Sequence, residues 1–544
     1  MSSFKFFLDD DLFWHLSTGR YIVENKTVPS QDVFGYVTQG QEWVPFEWAW
    51  DVTTYFVYSM FGYTGISIFR SLLALLIFFF IFKTADKLKI NFALTAALSL
   101  LLLIGMLTRL SPRPHLVSYL FITVLMYLLL KYMIFDKGNI KGLYPMPMIF
   151  LVWANFHMGV IIGVFILLSF YVSDYLLNKN SKSKDNSNSK KLLYIVLLSL
   201  AAILVNPHFF NTYLYVYSHT EMKMLNEINE WKSPFSSAMI SNYYVLIFFF
   251  FAALSLTIFS YYKKTKNLFP IFLFLGLGFL ALRAQRYTVD FELALFPLIL
   301  ISINSFIKLD NNKQKFISYA LAGVTTLLIF YSANDKFYKE TLNNNFRETG
   351  FGLNKDFFPV EMFDFIKANK IDDPQNRPFN SLRAGGYLTW QLPGNKNLID
   401  SRNLNDDIYF KYKTIEQKRP GFEKLINDFG INYFAFSTPY LKLSANELNT
   451  SVISWLSKNS DDWKLIYWDD KSSLFVKNDS KFSNVIQNYE YKYLTPFNIV
   501  FAPAVLAKAF TDDKETLLRE ARRKAAEEPQ GMFTQDIKNK YNIK

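Results

Sequence analysis

The chain has no cysteine among its 544 residues and only five histidines. The first absence excludes disulfides, zinc-thiolate centres and cysteine nucleophiles, and it leaves the compartment open, since cysteine-free proteins occur everywhere. Lysine and arginine are scarce over the first fifty residues, where Lys5, Arg20 and Lys26 face Asp9, Asp10, Asp11, Glu24, Asp32, Glu42 and Glu47. A segment so poor in cations belongs on the outer side of a membrane. No phosphate-cradling glycine loop and no nucleophile elbow stands between a strand and a helix, so neither a P-loop nor a serine-hydrolase reading is supported. Charge is also nearly absent from the middles of the long apolar runs, where a transporter would place it along a path.

Apolar residues are abundant: 51% of the chain is hydrophobic and 18% aromatic. Over the first two thirds the chain is too apolar, and over the last third too polar, for one soluble domain. Runs near the roughly 20 residues that cross a bilayer recur at 64–83, 92–110, 115–131, 143–155, 157–178, 192–206, 243–261, 268–283, 286–307 and 316–333. The expected fold is therefore an α-helical polytopic membrane protein with about ten spanning helices and a C-terminal extracytoplasmic α/β domain. Its expected parts are an outer acidic loop with an interfacial helix (1–63), the membrane domain (64–333), a connector (334–358), the α/β domain (359–480) and a helical tail (481–544). The segment Glu47 to Phe61 carries Glu47 and Asp51 amid aromatic residues, which suits a helix lying in the interface better than one crossing it.

The formal charge of +12 does not point to nucleic acid, because the lysines gather in short turns between apolar runs. Alternating sides from an outside start sends Lys83 to Lys89, Lys131 to Lys141, Lys179 to Lys191, Lys263 to Lys266 and Lys308 to Lys315 to the cytoplasm, as the positive-inside bias requires. The same alternation sends Arg109 to His115, Asn155 to His157, Asn206 to His219, Glu227 to Trp231, Arg283 to Arg286 and everything after Asp335 to the outer face. All five histidines, His15, His115, His157, His208 and His219, fall there, so chemistry is expected on that face. In the last third, Tyr433 to Phe436, Trp463 to Tyr467 and Leu474 to Val476 read as strands, the last two as a hairpin around Asp469, Asp470 and Lys471. Gly385 and Gly386 read as turn glycines beside a strand, and Lys514 to Glu528 as a charged helix.

Asp9, Asp10 and Asp11 with Trp14 and His15 form the densest polar constellation. Carboxylates in a loop can hold a divalent cation, or one can act as general base toward a hydroxyl; the bland alternative is a solvated turn capping the helix that begins near Leu12. Arg109, Arg113, Arg283 and Arg286 lie at outer ends of spans, where guanidinium suits two-point binding of phosphate and otherwise snorkels to headgroups. His115, Asn155 and His157 lie at the same ends, either touching substrate or serving as satisfied structural groups. Glu230 and Trp231 read as a sugar-stacking pair or an interfacial anchor.

These residues resemble a bacterial membrane family with an acidic pair followed by Trp-His-Leu and Gly-Arg, here Asp9, Asp11, Trp14, His15, Leu16, Gly19 and Arg20. The pattern continues through Pro29, Asp32, Phe34, Tyr36, Gly40, Trp43, Glu47 and Trp48, then Arg113-Pro114, Trp153 to His157, Asn206-Pro207, Glu230-Trp231, Gly385 to Leu388 and Asp400-Ser401-Arg402. That family is similar to the C-type glycosyltransferases, which include protein O-mannosyltransferases and other enzymes that use polyprenyl-phosphate sugars. Where relatives favour a histidine before Glu47, this chain has Phe46, so no role is carried to that position. Such proteins also begin with a spanning helix before the acidic loop, which implies either a start further upstream or a translocated N-terminus.

The resemblance implies transfer of a sugar from a lipid-phosphate donor at the outer face of the cytoplasmic membrane. In it Asp9 or Asp11 is the base or faces a divalent cation, Mg or Mn, His15 joins them as a catalytic candidate, and the outer arginines hold the lipid phosphate. The expected partners are a lipid-linked sugar donor, the membrane and an acceptor whose chemistry the sequence leaves open. The rival expectation is a membrane protein without catalysis, either a flippase for lipid-linked saccharide or an assembly factor.

Overall fold

The computed structural model describes residues 9–136, 138–179, 187–306, 311–332, 350, 352–355, 357–402, 404–437 and 450–543. Asp335, most of the connector 334–358, and parts of the basic stretches 179–191 and 308–315 lie outside the described residues. The described chain packs as two units. The first comprises Gly19–Val28 and Val44–Gly352; the second comprises 9–18, Pro29–Trp43 and the chain from Leu353 onward.

The first unit is a bundle of helices. They are α2 (Trp48–Lys87), α3 (Phe92–Met106), α4 (His115–Leu130), α5 (Met146–Phe156), α6 (Val160–Lys179), α7 (Ser187–Ala202), α8 (Asn211–Thr220), α9 (Tyr243–Ser255), α10 (Ile258–Thr265), α11 (Phe269–Arg283), α12 (Thr288–Phe306) and α13 (Asn311–Ser332). An earlier helix, α1 (Asp11–Asn25), gives its last turns to this unit and its first turns to the other. Among the described residues, six segments are long and apolar enough to cross a membrane: Trp48–Lys87, Phe92–Arg109, His115–Phe135, Val160–Leu177, Tyr243–Thr265 and Gln285–Ser305. The chain is a multi-pass membrane protein.

The 40-residue α2 is broken at Gly62, whose φ of 60° and ψ of −158° lie where glycine alone is at ease. The break falls between the expected interfacial segment and the first expected span. Beyond it, buried Ile66, Arg70, Leu73, Ile77, Ile81 and Thr84 recur at three- and four-residue spacing, while Leu72, Leu75 and Phe79 face outward. That exposed apolar stripe suits lipid. The expected run 143–155 yields only the 11 residues of α5, started by Pro145 and Pro147; at 1.5 Å per residue it spans roughly half of a hydrocarbon core. The region 243–261 breaks after Ser255 into α9 and α10.

The second unit contains a four-stranded sheet in the order β1-β2-β4-β3, with β1 (Pro378–Asn380) parallel to β2 (Tyr433–Ser437), and β3 (Trp463–Trp468) and β4 (Ser472–Lys477) antiparallel. All five residues of β2 are buried, so it is covered on both faces. The β3–β4 turn is tied by Asp469, whose carboxylate accepts from the Lys471 and Ser472 backbone N–H and from the Tyr467 hydroxyl. Helices α14 (Val360–Ala368), α15 (Leu382–Gln391), α16 (Asp406–Glu416) and α17 (Phe422–Asp428) surround the sheet. The charged helix expected near the C-terminus runs Lys514–Glu527, and its Glu520 accepts backbone N–H from Lys492, Tyr493 and Leu494.

Gly385 and Gly386 correct the expected turn: both lie inside α15. A Cβ on Gly385 would overlap the Ile399 carbonyl oxygen, and one on Gly386 would press on the Trp14 and Asp10 backbone at 3.1 and 3.2 Å. The glycines permit close backbone approach rather than a turn, so tertiary packing overrides local propensity. Gly385→Ala is expected to lower the melting temperature of the full-length protein markedly, since backbone must move to admit the methyl; an unchanged melting curve would refute this packing role.

Candidate functional site

The expected residues fall into two constellations, one in each unit. In the first unit they come from helix ends: Arg109 closes the turn after α3, His115 opens α4, His157 caps α5, Glu230 lies in the 3-10 turn Asn229–Trp231, and Arg286 lies in the turn Gln285–Tyr287 before α12. Consecutive helices of an up-and-down bundle present alternate ends to one face, so residues distant in sequence meet there.

Glu230 is the hub. Its Oε2 accepts from Arg109 Nη1 at 2.9 Å, and its Oε1 lies 3.6 Å from Arg286 Nη1. The Arg286 guanidinium lies 4.3 Å from the centre of the Trp231 ring, which fixes its plane from one side. Burial alone would raise the Glu230 carboxyl, but the charges of Arg286, Arg109 and Arg113 overcome it and bring it down to about 2. The turn is pinned at its flanks, because Gln285 donates through Nε2 to the Asn229 carbonyl at 2.7 Å and through its backbone N–H to the Lys232 carbonyl at 2.9 Å.

His157 ties a second group to the same region. Its Nδ1 accepts from the Gly159 backbone N–H at 3.1 Å and meets Ser118 Oγ at 2.6 Å, while Trp153 Nε1 donates to that same Oγ at 2.7 Å. Two donors on Nδ1 place the ring proton on Nε2, which faces Glu47 Oε1 at 3.6 Å. That separation is too long for a hydrogen bond, so it does not offset burial and the positive charges of Arg286 and Arg109, which together lower His157 to about 3. His115 lies beside it, the ring centres 6.5 Å apart, with Nε2 2.6 Å from the Arg109 carbonyl oxygen. Asn155 accepts from Trp48 Nε1 at 2.9 Å and donates to the Val205 carbonyl.

A neutral buried histidine has a pH signature. Unfolded His157 would take a proton near pH 6.5, but the folded ring resists it until about 3, so its contribution to stability is complete above 6.5 and shrinks as pH falls toward 3. The expected slope is up to about 1.4 kcal/mol per pH unit. His157→Asn, which keeps an acceptor for Ser118, should flatten that part of a stability-versus-pH curve; an unchanged slope would refute the assignment.

The structure therefore joins Arg109, His115, His157, Glu230, Trp231 and Arg286, with Arg113 within electrostatic reach of Glu230 and Asn155 on the adjoining helix end. Arg283 stands apart: it is exposed at the end of α11 and makes no hydrogen bond or ion pair among the described residues. Of the five histidines, His115 and His157 adjoin one another, and His219 bonds the Tyr215 carbonyl within α8. Sequence reading missed Ser118, Gln285 and Asp290, the last buried and within electrostatic reach of Arg109 and Arg286. The spacing of Arg286 and Asp290, one helical turn apart, was the available signal for Asp290; Ser118 offered none.

The second constellation holds the acidic loop. Asp9 and His15 are buried, Asp11 opens α1, Asp10 pairs with Arg383 at 3.7 Å, and the rings of Trp14 and His15 lie 3.7 Å apart. Among the described residues no group of three or more His, Asp or Glu side chains is arranged to hold a metal ion, so no step below is routed through one. The loop 29–43 is clasped to the sheet side of this unit. Asp32 accepts from the Phe34 and Gly35 backbone N–H and from Arg402 Nη1 at 2.7 Å, and Arg402 Nε and Nη2 grip Asp400 at 2.8 Å. Gly35 bridges Asn397 in parallel, with Tyr36 N–H donating to the Asn397 carbonyl. Thus three separated motif segments, 32–36, 397–402 and 385–388, are one structural feature.

No protein-family model matches the chain, and no curated protein matches it in sequence. Its fold does match solved structures. Against the archaeal oligosaccharyltransferase AglB from Archaeoglobus fulgidus, in complex with an inhibitory peptide and a dolichol-phosphate, the TM-score is 0.51 at 10% identity over 80% of this chain and 67% of that one. Against the Archaeoglobus fulgidus oligosaccharyltransferase tethered with an acceptor peptide containing the NVT sequon, it is 0.51 at 11% identity over 80% and 66%. The chain thus spans about two thirds of the length of these proteins. Over that length it shares the fold of these oligosaccharyltransferase structures.

Proposed function

We propose, from that shared fold, that the chain is a membrane glycosyltransferase that moves a sugar from a polyprenyl-phosphate donor to an acceptor at the outer face of the cytoplasmic membrane. The observation that carries the reading is the convergence of Arg109 and Arg286 on one carboxylate at the ends of the helical bundle, with Arg113 adding a third positive charge. Permanently charged guanidiniums held by packed helices suit a phosphate leaving group, whose charge grows as the bond to the sugar breaks. Asp9 or Asp11 takes the proton of the acceptor hydroxyl as its oxygen attacks the anomeric carbon; the bond from that carbon to the phosphate oxygen breaks, and the polyprenyl phosphate leaves with the electron pair. Attack opposite the leaving group inverts the anomeric centre.

One of the solved neighbours is tethered with an acceptor peptide and another holds an inhibitory peptide, and a hydroxyl on a protein or a glycan fits this reading equally. No step is routed through the expected divalent cation, Mg or Mn, because among the described residues no three His, Asp or Glu side chains gather to hold one; loss of transfer in EDTA that Mg or Mn restores would add the cation to the reading, and transfer unchanged in EDTA would remove it. The direct test is binding of a polyprenyl-phosphate sugar by the purified full-length protein. Arg109→Ala and Arg286→Ala are each expected to weaken it roughly 10- to 100-fold, the worth of one charge-assisted hydrogen bond. Donor binding indifferent to both would refute the reading.

A further inference from the structure

The same hub carries a second consequence, which rests on the phosphate reading. Arg109 and Arg286 reach for one anion, and Glu230 supplies it, one carboxylate oxygen to each guanidinium. A phosphate oxygen pair has the same two-point geometry and more charge. We infer that the Glu230 side chain holds the donor's phosphate seat before the donor arrives and is displaced by it, so that its return helps expel the phosphate product.

Three features favour displacement of the side chain over a fixed structural bridge. The carboxylate is the most open member of the cluster, its side chain 31% exposed against 18% for Arg109 and 25% for Arg286, so it has solvent to rotate into. Its grip is uneven: the Arg109 contact is a full hydrogen bond, whereas the Arg286 contact at 3.6 Å is an ion pair beyond hydrogen-bond length. The rest of the seat is held without it. Gln285 fixes the backbone on both sides of Glu230, and Trp231 lies against the Arg286 guanidinium. The cationic seat therefore persists once the carboxylate leaves, and a departing carboxylate near a bound anion repels it, which lowers affinity.

The prediction is opposite in sign to that for an ordinary ion pair. Removing the charge should tighten binding of a phosphate. In detergent solution, full-length Glu230→Gln is expected to bind inorganic phosphate and farnesyl phosphate about tenfold more tightly than wild type, with slower release of farnesyl phosphate. Gain with both probes assigns the effect to the anionic group itself, and gain with farnesyl phosphate alone assigns it to a lipid phosphate; either supports the inference. Equal or weaker binding of both by Glu230→Gln overturns it. Glu230→Asp, one methylene shorter and unable to span both guanidiniums, should lie between, and it carries the same test if the glutamine variant fails to fold. Arg286→Gln separates the two readings: probe binding lost with Arg286→Gln but not improved by Glu230→Gln refutes the seat alone, whereas binding unaffected by Arg286→Gln refutes the phosphate site.

Discussion

Arg402→Ala is expected to destabilise the second unit by about 3–5 kcal/mol, the cost of leaving buried charge uncompensated. The side chains of Arg402, Asp32 and Asp400 are 2%, 0% and 1% exposed, so water cannot replace the lost guanidinium. Burial would push the Asp400 carboxyl up, but the charge and hydrogen bonds of Arg402 outweigh it and hold it below the usual carboxylate range. Its contribution is therefore present above that range and is lost as pH falls below it. The guanidinium also lies 4.5 Å from the Trp43 ring centre and 5.1 Å from that of Phe34, so alanine removes packing as well as charge. For a unit of this size the melting temperature should fall by about 10 °C. Arg402→Ala combined with Asp32→Asn and Asp400→Asn should recover part of the loss, because no unpaired charge remains. Thermal unfolding of the full-length protein, followed by protease sensitivity of the sheet-bearing region, measures both. A melting curve unchanged by Arg402→Ala would mean that the clasp is ornamental.

The second large effect is expected at the acidic loop. If a carboxylate there takes the acceptor proton, its replacement by asparagine should lower the transfer rate about 10²- to 10⁴-fold, the usual worth of a positioned general base. Asp9→Asn and Asp11→Asn are both needed, because Asp9 is buried whereas Asp11 opens α1. The loss should fall on kcat while donor binding persists, since the arginines belong to another constellation. A true base also leaves a pH signature: the variant should lose the acidic limb of the rate profile. Full activity in both folded variants would remove the loop from the chemistry and leave it as the start of a helix.

Part of this protein is legible in its amino-acid sequence. Hydropathy gave the multi-pass helical unit, because bilayer thickness acts on each segment separately. The hairpin around Asp469 and the strand at Tyr433 were equally local, set by short aromatic and apolar runs and by turn chemistry. Helix-end residues such as Arg109, His157, Glu230 and Arg286 could be named as candidates because they interrupt apolar runs. Which of them meet could not be read from their sequence positions: Arg283 and Arg286 are three residues apart, yet only Arg286 reaches Glu230.

The structure decided what depends on closing long loops. Asp32 meets Arg402 across 370 positions, and Ser118 meets His157 across 39. Gly385 appears in sequence as a residue suited to a turn, yet it serves a helix because the Ile399 carbonyl lies where its Cβ would be. By itself, then, the sequence determined the solvent each segment prefers, a property summed over neighbouring residues. The tertiary structure alone decided which charges share a partner, because that depends on the packing of helix ends that no local pattern encodes.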